Sequence, residues 1–179
     1  MDHTARRREL AEAVWRVIAR DGVAEVSIRT VAAESGWSSG ALRHYFATRA
    51  ELLAFACELV IARATGRIRA LRPPGTLREQ IGAVLRETMP LDAERHIEAS
   101  IAFSFLTLGL GDPALAEIQR LQFSGLYELC RHLTAQLGGD ESTARRLHAV
   151  VDGLSVQILA GHLTAEAAAA ELDAYLAVL

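Results

Sequence analysis

The residues best suited to chemistry lie in one short stretch, Ser27–Phe46, which carries hydroxyl groups and arginines beside a run of small side chains. Hydroxyl and guanidinium groups donate hydrogen bonds to phosphates and to the edges of bases. The polar or small run Ser38–Ala41 would let a helix lie close to the floor of a DNA major groove. Spacing alone leaves a second interpretation open, a small three-helix packing with a polar edge.

An enzyme is the main alternative class, and the sequence lacks the usual catalytic signatures. It has six histidines but no H-E-x-x-H, no G-x-S-x-G and no glycine loop that would cradle a phosphate. His96 does not form a metal site with Glu94 and Glu98, because those acids do not share its helix face. We expect no catalysis, no metal and no cofactor.

The two cysteines, Cys57 and Cys130, lie far apart inside helical patterns. Two isolated thiols cannot build a structural zinc site, so we expect buried, inert side chains. The position of Cys130 near a predicted pocket leaves open that it senses oxidants.

The elements that must position these residues are all helical, because apolar residues recur with a period near 3.6 and no alternating β-branched run occurs. Capping residues and breakers predict nine helices. These helices run from Thr4 to Asp21, Ser27 to Ser35, about 39 to 45, Thr48 to about Leu71, Thr76 to Met89, about Asp92 to Leu108, Pro113 to Gly138, about Glu141 to Gly161, and Thr164 to the C-terminus. The fold class is therefore all-α, with a three-helix module over residues 1–48 and a larger helical domain over 49–179.

Charge is divided unevenly along the chain. The net charge is −3, but residues 1–50 carry +2 and residues 51–179 carry −5. Positive charge is thus concentrated in residues 1–50, the part of the chain that would contact DNA phosphates. No apolar run approaches the length of a membrane span, and the N-terminus is rich in arginine rather than apolar. We expect a cytoplasmic protein without a membrane partner.

The stretch Ser27–Phe46, which reads SIRTVAAESGWSSGALRHYF, resembles the DNA-reading motif of the TetR family of regulators. The following ATRAELL resembles that family's link into the fourth helix. The resemblance covers about 50 residues and implies that the third helix enters the major groove. It implies base contacts from Arg29, Ser39, Gly40, Ala41 and His44, and phosphate contacts from Ser27, Tyr45 and Arg49. The sequence departs from the family at Arg43, where tyrosine is usual, and an arginine there can grip a phosphate or a guanine.

The remainder resembles more loosely the C-terminal domain of BetI-like members of the family, through MPLD, LGDPAL and VDGL segments. Choline sensing is not implied, since an aromatic cage needs several Trp or Tyr residues and both tryptophans, Trp15 and Trp37, lie in the DNA-binding module.

A mostly apolar ligand pocket is predicted where uncharged polar and aromatic side chains share helix faces. Its expected lining is Phe55, Leu59, His96, Ser100, Phe103, Ser104, Thr107, Phe123 and Tyr127. The alternative is ordinary core packing, with the serines bonded back to helix carbonyls.

Small residues on the eighth helix would permit the close approach of a second copy. The predicted interface is Ala149, Gly153, Val156 and Ala160, with Leu172 and Leu176 of the ninth helix. Such residues could equally pack within one subunit, and the family resemblance is what implies a homodimer. It also implies a repressor that leaves a pseudo-palindromic, double-stranded operator when a small-molecule effector binds. A helical interaction module, or a regulator without an effector, is the alternative.

Overall fold

The computed structural model describes residues 3–111 and 113–179, except for the side chains of residues 3–5, 7, 8, 106–108, 114 and 118. Over this part of the chain it contains helices and no strand, so the all-α prediction is confirmed. The elements are α1 (His3–Asp21), a short 3₁₀ turn (Val23–Glu25), α2 (Ile28–Ser35), α3 (Ser39–Arg43), α4 (Arg49–Ala70), α5 (Leu77–Arg86), α6 (Ala93–Gly109), α7 (Pro113–Gln136), α8 (Glu141–Leu159) and α9 (Ala165–Ala177). None of the described helices combines the length and apolarity that crossing a bilayer requires.

The chain forms two compact units, and each unit consists of two separate segments of the sequence. The first unit contains Met1–Ala62 and Ile101–Gln119, and the second contains Arg63–Ser100 and Arg120–Leu179. Helices α4, α6 and α7 therefore each begin in one unit and end in the other. The domain boundary at residues 48 and 49 stays a prediction.

Side-chain caps fix where the short N-terminal helices begin. The Ser27 hydroxyl accepts a hydrogen bond from the Thr30 N–H, and the Thr30 hydroxyl accepts one from the Ser27 N–H, so α2 opens with a reciprocal capping box. Gly36 ends α2 in the left-handed region at φ 73°, which favours glycine. Ser38 then caps α3 through the Ala41 N–H.

Several predicted helix ends differ from the structure by one to three residues. Helix α3 ends at Arg43 rather than near residue 45, because the chain tightens where the N–H groups of Tyr45 and Phe46 both meet the Leu42 carbonyl. Helix α5 ends at Arg86, three residues before the predicted end. Before α4, the Glu51 carboxylate accepts from the Ala47 N–H at 2.8 Å, not from the Thr48 N–H that a capping box requires.

Each unit has its own apolar core. In the first unit, α1 buries Leu10, Val14, Val17 and Ile18. Val31 and Leu42 pack beside them with no exposed surface. In the second unit, α5, α7, α8 and α9 contribute to one cluster, Ile81, Leu85, Met89, Cys130, Leu133, Leu147, Val151, Leu154, Ala168, Leu172 and Leu176. Burial of such a cluster is the main stabilising contribution to a helical fold of this kind.

Arg67 is the centre of an ion-pair network in the second unit. Its guanidinium grips the Glu98 carboxylate with both terminal nitrogens, at 2.8 and 2.5 Å, and its Nε donates to Glu87 Oε2 at 2.7 Å. Arg95 also contacts Glu87, at 3.4 Å. Only 6% of the Glu98 side chain is exposed, so this pair lies in a medium of low dielectric constant where removal of one partner is costly. The pKa of Arg67 is raised, chiefly by its hydrogen bonds to Glu98.

We expect Arg67→Met to lower the free energy of unfolding by about 3 kcal/mol, because the Glu98 carboxylate would be left buried without its partner. Arg63, one turn earlier on α4, is the matched control: it pairs with Glu94, whose side chain is 53% exposed. Arg63→Met should cost less than about 1 kcal/mol. Urea unfolding of the three proteins measures the difference, and equal losses from the two substitutions would contradict the assignment.

Candidate nucleic-acid interface

Helices α2 and α3, joined by the turn at Gly36, form the helix-turn-helix. The start of α3 presents Ser39 and Gly40 as exposed residues. A Cβ built on Gly40 would meet no atom closer than the Ser38 hydroxyl, at 3.9 Å. This side of α3 is therefore open, as a helix that enters a groove requires. The Ser38 hydroxyl is used at the same time to cap the helix.

Two arginines of α1 are neutralised within the module. Arg16 Nε and Arg20 Nη1 each contact the Glu34 carboxylate at 2.7 Å, and Arg20 also pairs with Asp21. The hydrogen bonds from Arg20, then Arg16, hold the pKa of Glu34 below its usual value. These two cations already have carboxylate partners at the surface.

Arg49 has a structural role that the sequence reasoning missed. Its Nε donates to the Val26 carbonyl at 2.8 Å, and its Nη2 donates to the carbonyls of Ala24 and Val23 at 3.2 and 3.3 Å. The guanidinium thus ties the start of α4 to the 3₁₀ turn before α2. The predicted phosphate contact of Arg49 stays a prediction, and its Nε and Nη2 donors are already engaged by backbone acceptors.

Arg29 and Arg43 differ from those arginines. Both are exposed, and within the part of the chain that the structure describes neither has an ion pair or a side-chain hydrogen bond. A guanidinium stays charged at any physiological pH and has donors on several edges. These two side chains are therefore available to an external anion or to a base edge.

The remaining residues predicted to contact DNA are either exposed or partly buried by contacts within the chain. His44 is exposed just beyond α3, whereas Ala41, Ser27 and Tyr45 are half-buried. The Tyr45 hydroxyl accepts from Arg6 Nη1 at 3.4 Å, and its ring meets Trp37 edge-on with centroids 5.5 Å apart. Their DNA contacts remain predictions.

The residues predicted to line a ligand pocket are distributed over both units. In the first unit, Phe55 is buried against Phe46, with ring centroids 5.1 Å apart, while Leu59, Phe103 and Ser104 are half-buried. In the second unit, His96 is exposed and Ser100 is half-buried. The side chain of Thr107 lies outside the described residues. The pocket as a set stays a prediction.

The serine hydroxyls favour the alternative interpretation of α6. Ser100 Oγ donates to the His96 carbonyl and Ser104 Oγ donates to the Ile101 carbonyl, both at 2.8 Å. Such back-bonding satisfies a hydroxyl on an apolar helix without any ligand.

Phe123 and Tyr127 flank a pair of residues that the sequence reasoning missed. Both rings lie beside the His148 imidazole, with centroids 5.9 and 6.0 Å away, and His148 Nε2 is 3.3 Å from Asp152 Oδ2. Burial raises the pKa of Asp152, although the nearby His148 opposes that shift. The spacing of four residues on one helix was the signal that could have revealed the pair.

The predicted dimer face divides into exposed and buried parts. Ala149, Gly153 and Val156 are exposed on α8, and Ala160 is exposed at its C-terminal cap. The prediction that Leu172 and Leu176 belong to the dimer interface is wrong, because these side chains are only 0% and 2% exposed in the core of their own chain. Side chains that α5 and α8 already enclose cannot also present a surface to a second copy.

Both cysteines are buried, as predicted, and both are free thiols. Burial raises the pKa of Cys57 to about 11 and that of Cys130 to about 12. A thiol that stays protonated at neutral pH is a poor nucleophile, which argues against oxidant sensing at Cys130. Among the described residues, no three acidic, histidine or cysteine side chains gather as metal ligands would.

Two family models match the chain. The model described as bacterial regulatory proteins of the tetR family matches residues 10–55, and the model described as the C-terminal part of BetI-type transcriptional repressors matches residues 77–179. The first match contains the helix-turn-helix, and the second contains the core cluster of the second unit.

Individual proteins resemble the chain over most of its length. The HTH-type transcriptional regulator PksA of Bacillus subtilis is 36% identical over 89% of this chain and 81% of its own length. A transcriptional regulator from Rhodococcus superposes with a TM-score of 0.84 at 28% identity, covering 96% of this chain and 94% of its own. The multidrug binding protein EbrR, solved with imidazole, superposes with a TM-score of 0.68 at 29% identity, covering 95% and 94%.

We expect Arg49→Met to lower the free energy of unfolding by about 1 to 2 kcal/mol, because the backbone acceptors at residues 23–26 lose a charged donor. Arg43→Met, which removes the same charge from an exposed side chain, should change it by less than about 0.5 kcal/mol. Thermal unfolding of both variants provides the comparison. Wild-type stability of Arg49→Met would show that the contacts to the 3₁₀ turn are not needed.

Proposed function

The chain belongs to the TetR family of transcriptional regulators, and we propose that it acts as a homodimeric repressor that a small-molecule effector releases from a pseudo-palindromic operator. In this proposal α3 lies in the major groove and reads bases, while arginines beside it hold the phosphates. The observation that carries the proposal is the pair of exposed guanidiniums, Arg29 and Arg43, that no described group neutralises.

The electrostatic argument depends on which arginines are already engaged. Arg16 and Arg20 donate hydrogen bonds to the Glu34 carboxylate. Arg49 donates to backbone carbonyls. An arginine with internal partners gains less from a phosphate, because those contacts would have to be exchanged. Arg29 and Arg43 can bind an anion without such a loss, so they are the strongest candidates for contacts to DNA.

Homodimerisation is proposed through the exposed face of α8, with Ala149, Gly153, Val156 and Ala160 at its centre. A Cβ built on Gly153 would meet no atom within 4 Å in its own chain, so this face has room for close approach of a second helix. A dimer is needed functionally, because one short recognition helix reads too few bases to select an operator.

An effector is proposed because the family match and EbrR, a multidrug binding protein, make ligand control the expected mode of regulation. Binding near α4 to α7 would move α4 and thereby change the spacing of the two recognition helices. The ligand can shift operator binding only by the difference between its affinities for the two states.

We expect Arg43→Ala and Arg29→Ala each to weaken binding of a selected operator by about tenfold or more, because each removes an uncompensated cation from the interface. An operator obtained by selection from random DNA, followed by fluorescence anisotropy at several salt concentrations, measures this. A phosphate contact would lower the slope of log K against log salt by about one, whereas a guanine contact would relax selectivity at one base pair.

Arg131→Ala is the matched control for those two variants. Arg131 is an exposed arginine on α7 that pairs with Glu128 at 2.7 Å, so its removal changes the net charge equally. It should leave operator affinity unchanged. Wild-type affinity for both Arg29→Ala and Arg43→Ala would overturn the proposed interface, and failure to select any DNA would overturn DNA binding itself.

We expect Gly153→Glu to convert the dimer into a monomer, because it places two like charges across a close two-fold contact. The substitution should not disturb the subunit, since the added side chain meets open space in its own chain. Gly66→Glu, at an exposed helical glycine with equally open surroundings on α4, is the control. Light scattering after size exclusion gives the mass, and a dimeric Gly153→Glu would place the interface elsewhere.

A further inference from the structure

The imidazole of His148 on α8 lies beside two aromatic rings of α7 and a carboxylate of its own helix. Its centroid is 5.9 Å from that of Phe123, at an interplanar angle of 72°, and 6.0 Å from that of Tyr127, at 53°. One turn later on α8, Asp152 Oδ2 is 3.3 Å from His148 Nε2. All four residues lie in the second unit, so the arrangement belongs to one compact body.

The Asp152 carboxylate has no permanent cation beside it. Among the described residues its only ion-pair partner is His148, and a histidine neutralises a carboxylate only when it is protonated. The contact is close but poorly aligned, because His148 Nε2 is shielded from solvent and makes no hydrogen bond within the described part of the chain. Arg145, two turns earlier on the same helix, pairs with Glu141 instead.

Partial burial makes this negative charge costly while the site stays reachable from solvent. The side chain of Asp152 is 25% exposed and that of His148 is 16% exposed. Phe123 and Tyr127 are also half-buried. Burial raises the pKa of Asp152, because the charged form loses hydration. A bound cation would compensate the carboxylate and would be attracted to the faces of the rings.

A protonated imidazole is itself a planar cation, and the groups around His148 are those that favour such a species. We propose that the effector of this chain carries a planar organic cation, which displaces the His148 ring and binds the Asp152 carboxylate beside the two rings of α7. This inference rests on the proposed function. His148 occupies the site in the absence of ligand. A quaternary ammonium group fits less well, because it has no N–H to donate to the carboxylate.

Benzamidinium and benzamide are the probes, since they have nearly the same planar shape and only the first is charged. Calorimetric titration of the full-length chain without DNA, at matched chloride, measures their affinities. We expect benzamidinium to bind about tenfold more tightly than benzamide, because its N–H groups can meet the carboxylate in bidentate fashion. Asp152→Asn should remove that preference and leave benzamide binding unchanged. Glu171→Gln, at an exposed carboxylate of α9, is the matched control and should keep the preference.

His148→Ala tests whether the imidazole occupies the place of the ligand. It should tighten benzamidinium binding by about threefold or more, because the ligand no longer has to displace a ring. Urea unfolding of each variant checks the fold, and Asp152→Asn should not lower stability because it removes a half-buried charge. Equal affinity for the two probes, a retained preference in Asp152→Asn or weaker binding by His148→Ala overturns this inference.

The regulatory part is tested on the selected operator. Saturating benzamidinium should weaken operator binding at constant chloride, whereas benzamide at the same concentration should not. Benzamidinium binding that leaves operator affinity unchanged overturns the role of this site in effector recognition, while DNA binding stands. A wild-type chain that selects no DNA overturns the proposed function, and the titration without DNA still decides whether the cation site exists.

Discussion

Every guanidinium in this chain must find acceptors for its donors, because arginine does not lose its charge at physiological pH. The chain has no lysine, so all of its fixed positive side chains face this constraint. The structure meets it in three ways. Some arginines pair with surface carboxylates, as Arg16 and Arg20 do with Glu34; some hold the fold together, as Arg49 and Arg67 do; and Arg29 and Arg43 have no acceptor among the described residues. Water can satisfy such exposed donors, so the third group, to which Arg69 on α4 also belongs, comprises the arginines that stay available to an anionic partner.

In helix α4, arginine guanidiniums stabilise the fold through contacts within the chain. At one end Arg49 meets backbone carbonyls near α2, and towards the other end Arg67 meets the buried Glu98 carboxylate. Both contacts use the planar fork of arginine, which a flexible ammonium group could not reproduce.

Several side chains of α6 and α7 that were predicted to line a ligand pocket already have partners within the chain. The hydroxyls of Ser100 and Ser104 are bonded to their own helix, and the aromatic rings of Phe123 and Tyr127 lie against His148. Hydroxyls that bond back to their own helix contribute to a stable subunit without selecting a small molecule. The family match supplies the expectation of ligand control, and the residues that would recognise an effector stay a proposal.

The sequence by itself determined the helices, most of their caps and the helix-turn-helix, because these depend on periodicity and on contacts between residues only a few positions apart. Ser27, Gly36, Ser38 and the Thr76–Glu79 capping box are local features of this kind. Only the tertiary structure decided which arginines have donors available to an external anion and which leucines of α9 are buried in the core. Arg49 and Arg43 look alike in sequence, yet the acceptors of Arg49 lie more than twenty positions away. Leu172 and Leu176 face the core because α5 and α8 fold against α9, and contacts between distant segments leave no periodic signal in the chain.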